Sequence, residues 1–353
     1  MKRFDVALFG SVFVDHVLTG FDRWPKPGQE VFARHYHREA GGGCFNTACG
    51  LAKLGASTSC FSVVGCEDGE WLLNRVRSCG VCVEQVRLSS MPTALTVAVS
   101  LAEDRSLFTF NGANEELSSW LESPQLPGEL AAARHVHFAY PLPPDPGLGL
   151  VRSLHANGST VSLDVGWQED WLTHASSWSL LREVDWFLPN EAEAALMTGK
   201  SDPEEMLRVF ASGGGRGVAI KLGPRGAVLF DGAQSPHKQA YLPASGRLAQ
   251  VAGARTPSSA SPGSRGSGRG RPRSCHHLGS YKAALSVEVV DTTGAGDAFN
   301  AGFIHGFVSG LGSETCLERG VICGSLSVRK PGSLNAFPEI NEVVQYHEYY
   351  QRR

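Results

Sequence analysis

The sequence predicts an α/β protein: a mostly parallel sheet covered on both faces by helices, with a small β-sheet lid beside it. Two observations carry this. Short β-rich apolar runs alternate with amphipathic stretches along most of the 353 residues, the pattern of strands buried on both faces. Two places break the alternation. Residues 11–19 and 31–37, and residues 94–102 and 106–111, read as strands with no helix between them. Their apolar/polar alternation suits a sheet with one solvated face, a lid over a cleft at the strand ends. One core per ~150 residues would suggest two domains, yet α/β folds reach this length as one, so residues 1–353 read as a single domain.

In chain order, FDVALFG (4–10) reads as a strand and FNTACGLAKLG (45–55) as a helix closed by Gly55. A strand at STSCFSVVG (57–65), a helix from Trp71 to Ser78 and a strand from Val81 to Val86 follow. HVHFAY (135–140), STVSLDV (159–165), VDWFLPN (184–190), GVAIKLG (217–223) and GAVLF (226–230) continue the strand series. Residues 244–280 differ in kind, with six arginines, no acid, and dense Gly, Ser and Pro. Such a stretch buries too little apolar surface to offset ordering and reads as a disordered basic insert. A surface loop tolerates it because loop length costs little.

Charge narrows the function classes. Thirty-two basic against 35 acidic residues leave a net of -3, so no overall pull toward nucleic acid or an anionic membrane is expected. No apolar run approaches the ~18 residues of a membrane span. Asp5 and Asp15 interrupt the N-terminal apolar stretch and no small-x-small cleavage site follows, which favours a strand over a secretory signal. Nine cysteines without disulfide-like spacing fit free thiols in a reducing cytosol. Cys79 and Cys82 form a lone CxxC, without the second pair or histidine that zinc would need.

The chemistry concentrates in VEVVDTTGAGDAFNAGFIHGF (287–307). A strand-like run meets Asp291-Thr292-Thr293, then Gly294-Ala295-Gly296, then Asp297 and a helix rich in small residues. Glycines let successive N–H groups point into one concavity, and the helix start adds free donors and a positive dipole end. That is an anion cradle suited to a phosphoryl group. Asp297, at its mouth, is expected to stay ionised and to accept a proton from an attacking hydroxyl; alone, it would equally serve as a helix cap.

Three further segments carry polar chemistry, each with a structural alternative. Gly41-Gly42-Gly43 precede a helix opening with Asn46, which offers a hydroxyl both a donor and an acceptor, and Asp15 can accept two hydroxyl hydrogen bonds. Asn190 and Glu193 in LPNEAEAALMTGK (188–200) have capping-box spacing, or hold the water shell of a Mg²⁺ ion. Gly199-Lys200-Ser201 suggests a Walker A ending, but position 194 is Ala where that loop needs Gly. Lys221, Gly223 and Gly226 in KLGPRGAVLF (221–230) form a hairpin turn or a nucleotide-binding edge.

In this order, GSVFVDH, AGGGCFNTACGLAKLG, NEAE, KLGPRG and DTTGAGDAF resemble the ribokinase-like (PfkB) carbohydrate kinase family over most of the chain. The resemblance implies a three-layer α/β/α sandwich with a β lid, ATP as phosphoryl donor, Mg²⁺ as cofactor and a sugar or sugar-like acceptor. By motif match it makes Asp297 the base and Gly294, Ala295 and Gly296 the anion hole. Asp15, Gly41, Gly42 and Asn46 become substrate contacts, and Asn190 and Glu193 the metal and phosphate site. The region around Gly223 and Gly226, with Lys221, becomes nucleotide surface. Asp291 and Thr293, with carbonyls of residues 327–333, match a potassium site.

Three departures qualify it. Ala40 stands where a Pro often precedes the glycine pair, and Gly166 stands where many sugar kinases carry Asn, which ranks Asp164 lower. The largest is the insert, a detour of roughly 35–40 residues, too long for an ordinary compact-domain loop, which the resemblance places near the nucleotide side of the cleft. Two alternatives stay open: a nucleoside kinase of the same fold, with Phe13, Trp24 or Phe110 stacking on a base, and a non-catalytic regulator whose arginine loop engages nucleic acid. Exposed lid edges favour a homodimer.

Overall fold

A computed structural model of the chain describes residues 2–100, 105–232 and 279–351. Most of the basic insert expected at 244–280 lies outside the described residues; its last residue, Ser280, opens a strand. The described strands are β1 (Phe4–Gly10), β2 (Phe13–Thr19), β3 (His35–Gly41), β4 (Thr58–Phe61), β5 (Val63–Gly65), β6 (Arg87–Ser89), β7 (Leu95–Ser100), β8 (Arg105–Phe110), β9 (Ala133–Ala139), β10 (Thr160–Asp164), β11 (Trp186–Phe187), β12 (Gly217–Lys221), β13 (Ala227–Asp231) and β14 (Ser280–Lys282). Eight make the main sheet in the order β14-β13-β12-β11-β10-β9-β1-β4, parallel except where β13 pairs with β12 and β14. Four make the lid, in the order β3-β2-β7-β8. β5 and β6 form a separate parallel pair.

Strand alternation builds the three layers. On β1, Val6 and Leu8 enter one apolar core while Ala7 and Phe9 enter the other. On β12, Ala219 joins the first core, and Val218 and Ile220 join the second. Both faces are therefore covered, and each fully buried Val, Leu, Ile or Phe side chain among them contributes about 1.5–3 kcal/mol. The first core also takes the inward faces of the Gly43 helix (Gly43–Lys53), the Ala295 helix (Ala295–Val308) and the Ser313 helix (Ser313–Ser327). Among the described residues no helix is long and apolar enough to cross a membrane.

Several boundaries differ from the sequence reading. The 57–65 run splits into β4 and β5, and the strand expected over Val81–Val86 is reduced to a single bridge, Ser59 with Cys82, ahead of β6. The lid strand expected at 31–37 instead spans His35–Gly41, because its register on β2 runs from Thr19↔His35 to Phe13↔Gly41. The strand-like run before Asp291 is not a strand. Val289 and Val290 are exposed, and the Val290 and Asp291 N–H groups both donate to the Val328 carbonyl. The lid departs from a one-sided sheet: its outer strand β8 exposes Leu107, Phe108 and Phe110.

Candidate active site

The Ala295 helix begins where the sequence places the cradle. Gly294 caps it in the left-handed region, φ 74°, which favours glycine. The Ala295 N–H donates to Thr292 O, and the helical ladder starts with Ala298 N–H to Gly294 O at 2.8 Å. Helix geometry leaves the Gly296 and Asp297 amides without a carbonyl one turn back. A Cβ on Gly296 would sit 3.6 Å from Lys221 Nζ, so an ammonium flanks these amides.

Asp297, on the first turn, is held from one side only. Asn46 Nδ2, from the Gly43 helix, donates to its Oδ2 at 2.8 Å. The other oxygen, Oδ1, has no hydrogen-bond donor among the described residues and lies 3.5 Å from where a Cβ on Gly43 would be. Asp297 stays mostly ionised at neutral pH, but its pKa shifts upward, opposite to the direction that donors and a helix dipole would give. Burial pushes its pKa up to about 6, with the Asp164 carboxylate adding to the rise; Asn46 and Lys221 oppose it without cancelling it. Removal from water outweighs the Asn46 hydrogen bond and the Lys221 charge together.

Beside the cradle lies an ionic cluster that motif reading ranked low. Asp164 ends β10, and its Oδ2 accepts from Lys221 Nζ at 2.6 Å and from Asn300 Nδ2 at 2.6 Å. Burial raises the Asp164 pKa, but the Lys221 charge and both hydrogen bonds outweigh it, leaving it below the usual carboxylate range. Lys221 is the converse: burial lowers it, and Asp164 and Glu193 more than restore it. Asp164 therefore ties Lys221 and Asn300 together beside the cradle, contacts that the Gly166 departure gave no sign of. Asn300, three residues after Asp297 on the same helix face, was missed; its only sequence signal is that i, i+3 spacing.

Asn190 and Glu193 do form the capping box. Asn190 Oδ1 accepts from Glu193 N at 2.9 Å, and Glu193 Oε2 accepts from Asn190 N at 2.9 Å. An isolated bridge from Asn190 to Lys221 sets the box beside the cluster. Burial, helped by the Asp164 charge, pushes Glu193 up to about 7. Gly199 caps this short helix at φ 66° rather than serving a phosphate loop.

The remaining predicted residues have local partners. A Cβ on Gly41 would collide with the Asp15 carboxylate, and one on Gly42, at φ 94°, with Ser11 O. These two glycines let the lid strands close on each other. Asp291 Oδ1 accepts from Thr293 N and Oγ1, and Oδ2 from Gly332 N at 2.9 Å, fastening residues 291–293 to the 327–333 segment. Gly226 is a turn glycine whose Cβ would strike Lys282 O, whereas Gly223 faces open space. Trp24 stacks on Phe108 within the lid, with ring centroids 6.3 Å apart. The described cysteines, Cys79 and Cys82 included, are free thiols. Among the described residues no three His, Cys, Asp or Glu side chains gather into a metal cage.

A parallel sheet, a β lid and a glycine-capped helix start carrying a carboxylate together define a ribokinase-fold protein. The chain matches the structure of Arabidopsis thaliana ribokinase complexed with ribose and ATP at a TM-score of 0.75 and 24% identity, covering 97% of this chain and 98% of that one. It matches a putative ribokinase II from E. coli in complex with ATP and Mg²⁺ at 0.72 and 18%, covering 98% and 99%. The 2-dehydro-3-deoxygluconokinase of Bacillus subtilis (strain 168) is 26% identical over 317 residues, 85% of this chain and 84% of that protein. The family model for pfkB family carbohydrate kinases matches residues 3–251 and 277–340. The chain belongs to that family.

Proposed function

We propose that this carbohydrate kinase transfers the γ-phosphoryl group of ATP to a hydroxyl of a sugar or sugar-like acceptor, with Asp297 as general base. One observation carries the reading: a carboxylate with one oxygen held and the other open, on the first turn of a helix whose amides at 296 and 297 are free of helical partners. Asp297 Oδ1 takes the acceptor's proton as its oxygen bonds to the γ-phosphorus and the bond to ADP breaks. Gly294, Ala295 and Gly296 with the helix end hold the transferring phosphoryl oxygens, and Lys221 neutralises charge beside them. Asp15, Gly41, Gly42 and Asn46 position the acceptor under the lid, and the Gly223–Gly226 turn borders the nucleotide.

The residues fit Mg²⁺ carried mainly by phosphates and water, because no protein cage is required for it. Glu193 supports this: a buried carboxyl titrating near 7 is eased by an adjacent cation. Asn190 and Glu193 would hold the ion's water shell, and the ion would neutralise the nucleotide's phosphates. Asp291 and Thr293, tied to Gly332, would supply oxygens to a potassium ion beside the cradle. Exposed Leu107, Phe108 and Phe110 on edge strand β8 support a homodimer through the lid; light scattering that gives a monomer mass at assay concentration would remove it.

The test is ATP consumption across sugars, sugar acids and nucleosides, with and without potassium. A sugar or sugar acid as best acceptor, stimulated by potassium, is the expected result. A nucleoside as best acceptor reassigns the substrate class, and no phosphorylated product from any acceptor refutes the reading.

A further inference from the structure

Ser333 lies beyond the Ser313 helix, at the end of the 327–333 segment whose carbonyls match a potassium site, but its side chain belongs to none of the site motifs. It is 2% exposed. Its Oγ donates to Asn46 Oδ1 at 3.0 Å, while the other acceptor in reach, Ala40 O, stands at 3.5 Å. A hydroxyl has one proton, and the shorter contact takes it. With Oδ1 so occupied, Asn46 can face Asp297 only through Nδ2, the bond seen at 2.8 Å. The Ser333 backbone is fixed as well. Its N–H donates to Glu39 Oε2 on β3 at 3.2 Å, and the neighbouring Gly332 N–H donates to Asp291. A Cβ on Gly294 would approach Ser333 Cβ to 2.8 Å. One short strap thus touches the lid, the 291–293 loop and the first glycine of the cradle.

We propose that Ser333 is a positioning residue for Asp297: its hydroxyl locks the Asn46 amide with the N–H, not the oxygen, toward the carboxylate, and Glu39 ties that setting to the lid. The catalytic side of this proposal rests on Asp297 acting as the base. Without the hydroxyl the Asn46 amide is free to turn. An amide oxygen facing Asp297 favours only the protonated acid, so the carboxylate loses a stabilising donor. The charged groups that face Asp297 are Asp164 at the end of β10 and Lys221 at the end of β12. The substitution touches neither.

Carbon-13 carboxyl NMR titration of the full, ligand-free chain reads this directly, with the Asp297 signal assigned by its loss in Asp297→Asn. Ser333→Ala should raise the Asp297 midpoint by about half a pH unit, and should add nothing in an Asn46→Ala background. Ser333→Thr, which keeps the hydroxyl, should restore the wild-type midpoint. In turnover with ATP and the best acceptor from the panel, Ser333→Ala should lower kcat about five- to tenfold with KM little changed. An unmoved midpoint, or the same shift in both Asn46 backgrounds, overturns the proposal. If Ser333→Ala does not fold, Ser333→Cys, with its weaker donor, should give a smaller upward shift, and no shift overturns it equally. The titration needs no turnover, so an active Asp297→Asn enzyme would sink the base assignment while leaving the coupling readable.

Discussion

At Asp297 stability and function pull in opposite directions. Its folded pKa, about 6, lies above the unfolded carboxyl value of 3.8. The stability linked to its proton is therefore full below that unfolded value and is lost as pH rises through about 6. Asp297→Asn carries no charge at any pH. It should match the wild type in thermal unfolding near pH 4 and exceed it by about 1–2 kcal/mol above pH 7, discounting for partial exposure. Equal stability at both pH values would mean the carboxylate is not desolvated. In the proposed role the same titration governs catalysis: a base must be ionised, so kcat/KM for the acceptor should fall as pH drops below about 6. A flat profile down to pH 5 would contradict that.

At the scale of elements, the strand ends carry the cluster. Asp164 closes β10 and Lys221 closes β12, each side chain only 13% exposed. Breaking a buried pair costs more than removing both charges, because one partner is left uncompensated. Lys221→Met should lower stability by about 3 kcal/mol, and adding Asp164→Asn should recover most of it; additive losses in chemical denaturation would show that the two do not act as a pair. This pair also marks where sequence reading stopped. β1 was legible to the residue because its apolar run is buried on both faces, and the Asn190–Glu193 box because capping is local. Asp164 ranked low on the Gly166 departure alone; its partner is 57 residues away, and no local spacing records such a contact. The run before Asp291 misled for the reverse reason. Its β-branched residues suit a pleated, half-buried surface, yet Val289 and Val290 face solvent and have no strand to join.

For the whole molecule, the family match skips residues 252–276, the middle of the Arg-rich stretch. The flanking strands β13 and β14 already pair in register, Ala227↔Lys282 to Leu229↔Ser280, so the sheet edge closes on residues outside 252–276. Replacing residues 252–276 with a short Gly-Ser turn should keep turnover within about threefold of the full chain, because loop length alone costs little. A large loss would assign the insert a part in nucleotide binding, and a large gain would make it an obstruction. Alternation of residue character made the layered architecture legible, and the glycine-rich signature made the cradle legible. What brings them together is tertiary: Asn46 and Asp297 meet across 251 positions of sequence.

The proposed chemistry requires the open oxygen of Asp297 to receive the acceptor's proton. Turnover of Asp297→Asn with ATP and the preferred acceptor, alongside calorimetric binding of each, measures that most directly. The expected result is a fall in kcat on the order of 10³-fold with both ligands still bound; turnover within about tenfold of wild type, on the same scale, would contradict it.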